Sequence, residues 1–142
     1  MSLLQPKTSK HPKVFKGKTK FKPKAGYLLE FGTFGLLSCS NCRIDASQIE
    51  ASRIAIMKHV KRIGKLWIRI YPNIPVTKKP TEVRMGKGKG EVVKWVSRLS
   101  GGTIVFELAG VSLSLAKLAL ASASAKLSFK TRFVSRIHEL TI

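Results

Sequence analysis

The chain has 142 residues, of which 27 are Lys or Arg and 7 are Asp or Glu, so its formal net charge is +20. This length supports one domain, and an apolar content of 44% is too high for a wholly disordered basic protein. A compact domain with so much unbalanced positive charge repels itself, which favours a polyanionic partner, with nucleic acid first and an anionic membrane surface second.

The first 24 residues form a basic arm without a single acidic residue. Because its lysines recur every two or three residues, charge lies on all sides of an extended chain. We therefore predict that this arm is disordered alone and becomes ordered between phosphates. A solvated tail that only aids solubility is the alternative, and Pro6, Pro12 and Pro23 argue against an amphipathic targeting helix. The lysines are Lys7, Lys10, Lys13, Lys16, Lys18, Lys20, Lys22 and Lys24.

From residue 25 the composition predicts a folded domain. YLLEF (27–31) and FGLLS (34–38) have the composition of strands, and a helix is predicted over residues 46–62. Asp45 and Gln48 have the spacing of a capping box at its start. The apolar residues at helical period are Ile49, Ile56, Met57 and Val60.

The last turn of this predicted helix carries Lys61 and Arg62 among other cations, more than its dipole requires. The segment KLWIRIYP (65–72) then alternates strictly. One face of the predicted strand is aliphatic, and the other presents Lys65, Trp67 and Arg69. That face could stack bases and pair phosphates, although Trp67 packed beneath a helix is an equal alternative.

Three prolines predict an irregular, extended stretch after residue 71. It leads into the segment RMGKGKGE (84–91), whose spacing does not fit a nucleotide site. A P-loop requires Ser or Thr after a Gly-Lys pair and a following helix, whereas here the next residues alternate like a strand. We interpret the segment as a slim cationic loop suited to insertion into folded RNA; a mobile hairpin tip without a ligand is the alternative.

The remaining segments complete the predicted fold. EVVKWVSRL and TIVFEL flank Ser100-Gly101-Gly102 as a hairpin, a second helix begins near Ser112 or Ser114 with Leu115, Leu118 and Ala119 buried, and a final strand spans SFKTRFVSRIHEL. We predict an α+β fold with a mainly antiparallel sheet and two helices packed on it. The single domain covers residues 25–142 and has a long loop at 72–91.

Candidate groups for catalysis or metal binding are scattered. The three histidines have no nucleophile or carboxylate at a recognisable spacing, and the seven acids are single. Cys39 and Cys42 lack a second pair to complete a zinc site, so reduced, inert thiols in a loop are favoured over a redox or metal role. We expect neither an enzyme nor a bound cofactor or metal.

Two long segments, KRIGKLWIRIYP (61–72) and RMGKGKGEVVKW (84–95), resemble the paired signatures of the large-subunit ribosomal protein L sixteen family, bacterial and organellar type. LQPK, FGTFGL, QIEASR, KPTEVR and AKLSFKTRFV are similar to the family in the same order, so the resemblance covers nearly the whole chain. It implies an α+β domain lodged in large-subunit ribosomal RNA, with the glycine loop directed toward the peptidyl transferase centre and transfer RNA.

The resemblance implies that the glycine loop (84–90), Trp67 and Arg69 bind RNA, and the basic residues near them and the arm lysines Lys7, Lys10, Lys13, Lys16, Lys18 and Lys20 are predicted to bind it as well. Neighbouring ribosomal proteins are the other expected partners, and neither a membrane nor a small-molecule substrate is expected. The runner-up is another basic module that binds nucleic acid or a membrane surface. The predicted RNA-binding residues beyond the arm are Lys61, Arg62, Lys65, Trp67, Arg69, Lys79, Arg84, Met85, Gly86, Lys87, Gly88, Lys89, Gly90 and Arg132.

Some segments depart from the family pattern. CSNC stands where glycine and basic residues are usual, and the second helix has few charges. These departures favour a mitochondrial member, with a bacterial or plastid one as the alternative. A mitochondrial member without a long presequence would be encoded in the organelle or already cleaved.

Overall fold

The computed structural model describes residues 4–19, 23, 25–61 and 63–136. The described residues form two helices and antiparallel strands, which confirms the α+β class. In chain order the elements are β1 (Phe34–Ser38), β2 (Cys42–Asp45), α1 (Ala46–Val60), β3 (Lys65–Ile68), β4 (Ile74–Lys78), β5 (Glu91–Leu99), β6 (Ile104–Ala109), α2 (Leu113–Ser124) and β7 (Thr131–Ser135).

The strands form two sheets where we predicted one. The first sheet has the order β3-β6-β1-β7 and the second the order β2-β5-β4, with every neighbouring pair antiparallel. The helices pack on each other; α2 also contacts β1 and β7, and α1 contacts β2 and β5. Buried side chains from both sheets and both helices form one core, including Ile44, Ile56, Leu99, Phe106 and Leu120.

The predicted hairpin at Ser100–Gly102 is wrong. Both strands exist, but β5 pairs with β2 and β4, whereas β6 pairs with β1 and β3. The turn between them is tight, with Gly102 at φ +96 and its amide donating to the Ser38 carbonyl at 2.7 Å. Alternation and turn residues predict strands and a reversal, but the choice of partner strand depends on distant segments.

The proline-rich stretch is less irregular than predicted, because its residues 74–78 form β4. This strand lies at the edge of the second sheet, where a residue without a backbone N–H is tolerated. Pro75 faces Trp95 of β5, and the register shifts between Val76 and Thr77. The long connection therefore spans only residues 79–90.

Helix α1 begins as predicted and ends earlier. Gln48 Oε1 accepts the Asp45 N–H at 3.1 Å, which is the capping-box contact. The helix stops at Val60 because Lys61 adopts a left-handed conformation with φ +49; Arg62 lies outside the described residues. Of the predicted core side chains, Ile49, Ile56 and Val60 are buried, and Met57 is partly exposed.

Helix α2 begins after Ser112 and ends at Ser124. The buried stripe that we predicted for it is partly wrong: Ala119 is buried, but Leu118 is 55% exposed. The buried positions are mostly alanine, which lets α2 approach its neighbours closely. At the α1–α2 contact, the Ser52 hydroxyl donates to the Ala123 carbonyl at 3.4 Å.

Residues 27–31 form no strand, contrary to prediction, because their backbone donors have another partner. The amides of Glu30, Phe31 and Gly32 donate to the carboxylate of Glu107 at 3.4, 2.7 and 2.7 Å. Glu107 lies on β6 and is fully buried, and it also forms an ion pair with Arg69. We name Glu107, Arg69 and these three amides the Glu107 cluster.

Candidate nucleic-acid interface

The glycine loop, residues 79–90, projects from the β4–β5 pair and is exposed along most of its length. Gly86, Lys87 and Gly88 have φ values of +99, +52 and +82, a left-handed run that glycine adopts at little cost. The Lys79 ammonium donates to the Gly86 carbonyl across the loop. The glycines at 86 and 88 thus allow the loop to fold back on itself.

Gly90 has a different role at the base of the loop. A Cβ at this position would lie 2.5 Å from the Lys78 carbonyl oxygen, so only glycine fits where the two strands separate. We interpreted the loop from its sequence as suited to insertion into folded RNA, but at Gly90 the missing side chain serves close approach within the domain.

The cations of the loop fall into two groups. Arg84 and Lys87 are exposed and have no hydrogen-bond or ion-pair partner among the described residues. Met85 beside them is 96% exposed. Lys89, in contrast, is held by the arm, so Arg84 and Lys87 are the loop cations that are free to pair with a ligand.

The arm lies against the second sheet and the loop. Lys89 Nζ donates to the Val14 carbonyl at 2.8 Å and lies 5.4 Å from the Phe15 ring centroid. Lys13 Nζ donates back to the Lys89 carbonyl at 2.8 Å. Val14 also lines a cavity with Val96 of β5, although residues 7–18 of the arm are all exposed.

Other arm predictions stay untested. The described residues 4–19 contain no helix or strand, as an extended arm requires, and Lys7, Lys10 and Lys18 are exposed. Lys20, Lys22 and Lys24 lie outside the described residues. Ordering of the arm by phosphates remains a prediction.

The aromatic face of β3 is partly used within the domain. Trp67 stacks on Phe31 with centroids 6.1 Å apart, and Lys65 Nζ lies 5.1 Å from the Trp67 ring. Arg69 pairs with Glu107 and with Glu30, and its side chain is only 13% exposed. RNA binding by these residues stays a prediction, but the described contacts of Arg69 hold the fold.

The last predicted positions lie outside the loop. Lys61 at the end of α1 and Arg132 on β7 are exposed. Cys39 and Cys42 are free thiols, and Cys42 is the first residue of β2 instead of a loop residue. Burial raises the pKa of the Cys42 thiol, more than its hydrogen bond with Ser38 lowers it, so the reactive thiolate is disfavoured.

Two basic residues that we did not predict lie beneath the arm. Arg43 on β2 and Arg98 on β5 are directly opposite each other in the register. The Arg43 Nη2 group donates to the carbonyls of Lys16 and Gly17 at 3.0 and 2.8 Å. The sequence does show a basic residue in each strand, but only the strand pairing reveals that they meet.

The contact between arm and loop can be tested with neighbouring lysines of the loop. Lys89→Gln removes the hydrogen bond to Val14 and the contact with the Phe15 ring, which together contribute about 1 kcal/mol. We expect trypsin to cleave the arm at Lys16 and Lys18 about fivefold faster in this variant. Lys87→Gln is the control, because it removes an equal charge from a side chain without a partner among the described residues; equal cleavage rates in the two variants would contradict the docking.

Comparison with known proteins gives the family of this architecture. The sequence profile described as "Ribosomal protein L16p/L10e" matches residues 6–134. The chain belongs to this ribosomal protein family. The protein named "Large ribosomal subunit protein uL16" of Methylocella silvestris is 55% identical over 137 residues, covering 96% of this chain and 100% of the relative. Proteins of the same name from Beijerinckia indica subsp. indica and Rhizobium etli are 54% and 53% identical over the same shares.

Membership of the L16p/L10e family confirms the resemblance seen in the sequence. The named relatives are bacterial, so they do not support the mitochondrial preference, although they agree with the bacterial alternative. Among the described residues, no helix is long and apolar enough to cross a membrane. In the same part of the chain, no group of three or more His, Cys, Asp or Glu residues could hold a metal ion.

Proposed function

We propose that the chain is a structural constituent of the large ribosomal subunit, in which it binds and braces ribosomal RNA without catalysing a reaction. The observation that carries this proposal is the free cationic tip of the glycine loop in a member of a ribosomal protein family. Arg84 and Lys87 lack partners within the described residues, and a chain of net charge +20 needs a polyanion to neutralise it.

The loop supplies the contact surface, and the rest of the domain supports it. Exposed guanidinium and ammonium groups pair with phosphate oxygens, while Gly86 and Gly88 keep the loop narrow. We infer that this loop lies near the peptidyl transferase centre and transfer RNA, where it helps to position the transfer RNA. Lys65 and Trp67 on β3 supply a second, aromatic surface on which a base could stack.

Sedimentation tests the proposal. In a lysate of the source organism, the protein should travel with the large ribosomal subunit until ribonuclease or high salt releases it. Binding of the purified chain to deproteinised large-subunit ribosomal RNA should weaken steeply with salt, by roughly 0.7 to 0.9 in logarithmic slope per neutralised phosphate. A dominant free pool that ribonuclease does not change would overturn the proposal.

The alternative is a basic module for a membrane surface or for DNA. Such a module would use an amphipathic helix with a cationic face or a recognition helix. Helix α1 carries Lys58 and His59 in its last turn and Arg53 midway, where Arg53 pairs with Glu50, so no cationic face runs along its length. We infer that the protein lies in the same cellular compartment as its ribosome. The bacterial relatives support a bacterial compartment, and a mitochondrial compartment stays a prediction.

A further inference from the structure

We propose that Arg43 and Arg98 form a binding site for one RNA phosphate, which the arm residues Lys16 and Gly17 cover in the RNA-free chain. This inference rests on the proposed function and adds a site that lies away from the glycine loop. The ligand is a phosphodiester of ribosomal RNA, and Arg43 and Arg98 recognise it.

Arg43 and Arg98 lie side by side in the second sheet. In antiparallel strands, directly opposite residues present their side chains on the same face, with Cβ atoms about 4.5–5.5 Å apart. Arg43 and Arg98 are such a pair in β2 and β5. Both reach the same point of the arm, because Arg43 Nη2 lies 2.8 Å from the Gly17 carbonyl oxygen and a Cβ built on Gly17 would lie 2.7 Å from the Arg98 guanidinium.

The two arginines bring two positive charges close together. Like charges directly opposite in a sheet destabilise it, and no carboxylate of the described residues forms an ion pair with either arginine. The Nε atom of Arg98 is buried without a hydrogen-bond partner among those residues, which carries a free-energy cost. An anion held between the two guanidinium groups would remove both unfavourable features.

The chemistry of the two guanidinium groups suits a phosphate ligand. Guanidinium groups bind phosphate in a planar, two-pronged geometry, and two of them at one point match a phosphodiester better than a single carboxylate. The Lys16 and Gly17 carbonyls now accept from Arg43 as neutral oxygens. A charged phosphate oxygen makes a stronger hydrogen bond than a neutral carbonyl, so RNA can displace the arm from this position.

The experiment compares the full chain with Arg43→Gln, Arg98→Gln and the double variant. Binding to deproteinised large-subunit ribosomal RNA is measured at several salt concentrations, and Lys126→Gln is the control. Lys126 is an exposed cation that follows α2, a helix packed on the first sheet instead of the second. All four variants lose positive charge, but only three of them change the proposed site.

We expect each single arginine variant to bind about tenfold more weakly than the control. Because both arginines share one phosphate, the double variant should lose about 0.7 to 0.9 in salt slope, the value for one phosphate, not twice this amount. In the absence of RNA, Arg98→Gln should melt at or above the temperature of the unchanged chain, since it relieves the repulsion of like charges. This melting measurement separates a loss of binding from a failure to fold.

Three results would overturn the inference. If the unchanged chain binds with steep salt dependence and Arg98→Gln behaves like Lys126→Gln, the site is wrong and the proposed function stands. If the unchanged chain shows no salt-dependent binding, both are wrong. An additive loss of two phosphates in the double variant would show separate contacts and would contradict the shared site.

Discussion

Glu107→Ala is expected to destabilise the RNA-free domain by about 3–5 kcal/mol, the usual cost of removing one partner of a buried ion pair. The carboxylate is fully buried and is the common acceptor for three backbone amides and Arg69. Its loss leaves the Arg69 guanidinium, which is only 13% exposed, with Glu30 as the remaining carboxylate partner among the described residues. Urea unfolding followed by circular dichroism measures the effect.

Two further variants test how much of this stability depends on the Glu107 carboxylate itself. Glu107→Gln keeps one acceptor oxygen and the side-chain shape, so it should cost less, about 1–3 kcal/mol. Glu30→Gln changes the other carboxylate that pairs with Arg69, but Glu30 is 58% exposed and should cost under about 1 kcal/mol. If Glu107→Ala is no more harmful than Glu30→Gln, the Glu107 cluster does not hold the fold.

The same cluster should make stability depend on acid pH. Burial acts to raise the pKa of Glu107, but hydrogen bonds from Gly32, Phe31, Arg69 and Glu30 outweigh it and lower the pKa below the ordinary value of 4.5. The unfolded chain therefore takes up the proton first as the pH falls. The contribution of Glu107 to stability is full above pH 4.5 and is lost as the pH falls through the lowered folded value.

This pH dependence predicts how two unfolding curves converge. The difference in unfolding free energy between the unchanged chain and Glu107→Gln should be constant near neutral pH and shrink below pH 4.5. Titration of unfolding free energies from about pH 7 to about pH 3 checks it. A difference that stays constant through this range would show that the charge of Glu107 does not contribute.

Arg84→Gln combined with Lys87→Gln should weaken binding to ribosomal RNA more than the Arg43→Gln, Arg98→Gln double variant or the Lys117→Gln, Lys126→Gln pair. Each lost phosphate contact should cost on the order of tenfold in affinity, because a hydrogen bond to a charged group contributes about 1.5 kcal/mol or more. The salt slope should fall by about 1.4–1.8. The melting temperature should not change, because neither side chain has a partner among the described residues.

The control for the loop variant removes two charges elsewhere. Lys117→Gln combined with Lys126→Gln changes two exposed cations in or just after α2. If this control lowers the salt slope as much as the loop variant, binding reflects net charge alone, and the glycine loop has no special part in it.

Local structure was predictable from the sequence wherever its cause is local. The capping box at Asp45 and the alternation around Trp67 placed α1 and β3, and the residue spacing of the glycine loop was enough to exclude a P-loop. The errors arose from long-range contacts. Whether β5 pairs with β6 depends on which other strands approach β5. Residues 27–31 form no strand because nearby amides donate to the Glu107 carboxylate, which lies 75 residues from Gly32 in the sequence.

The residues of the candidate site were likewise predictable only where local sequence determines their position. The loop cations Arg84 and Lys87 were predictable, since flanking glycines and adjacent charge mark an exposed basic loop. Arg43 and Arg98 were not, because only strand pairing makes neighbours of two residues that are far apart in the chain. The internal role of Arg69 was equally hidden, because its partners come from two other segments.

The division into two sheets has a consequence for genetics. The loop joins two strands of the second sheet, which also carries Arg43 and Arg98, whereas Glu107 belongs to the first sheet. Growth defects should therefore fall into two classes that different suppressors distinguish. A second mutation that raises the overall stability of the domain should rescue Glu107→Gln but leave Arg98→Gln defective. Extra magnesium, which stabilises folded RNA, should instead rescue Arg98→Gln and leave Glu107→Gln defective.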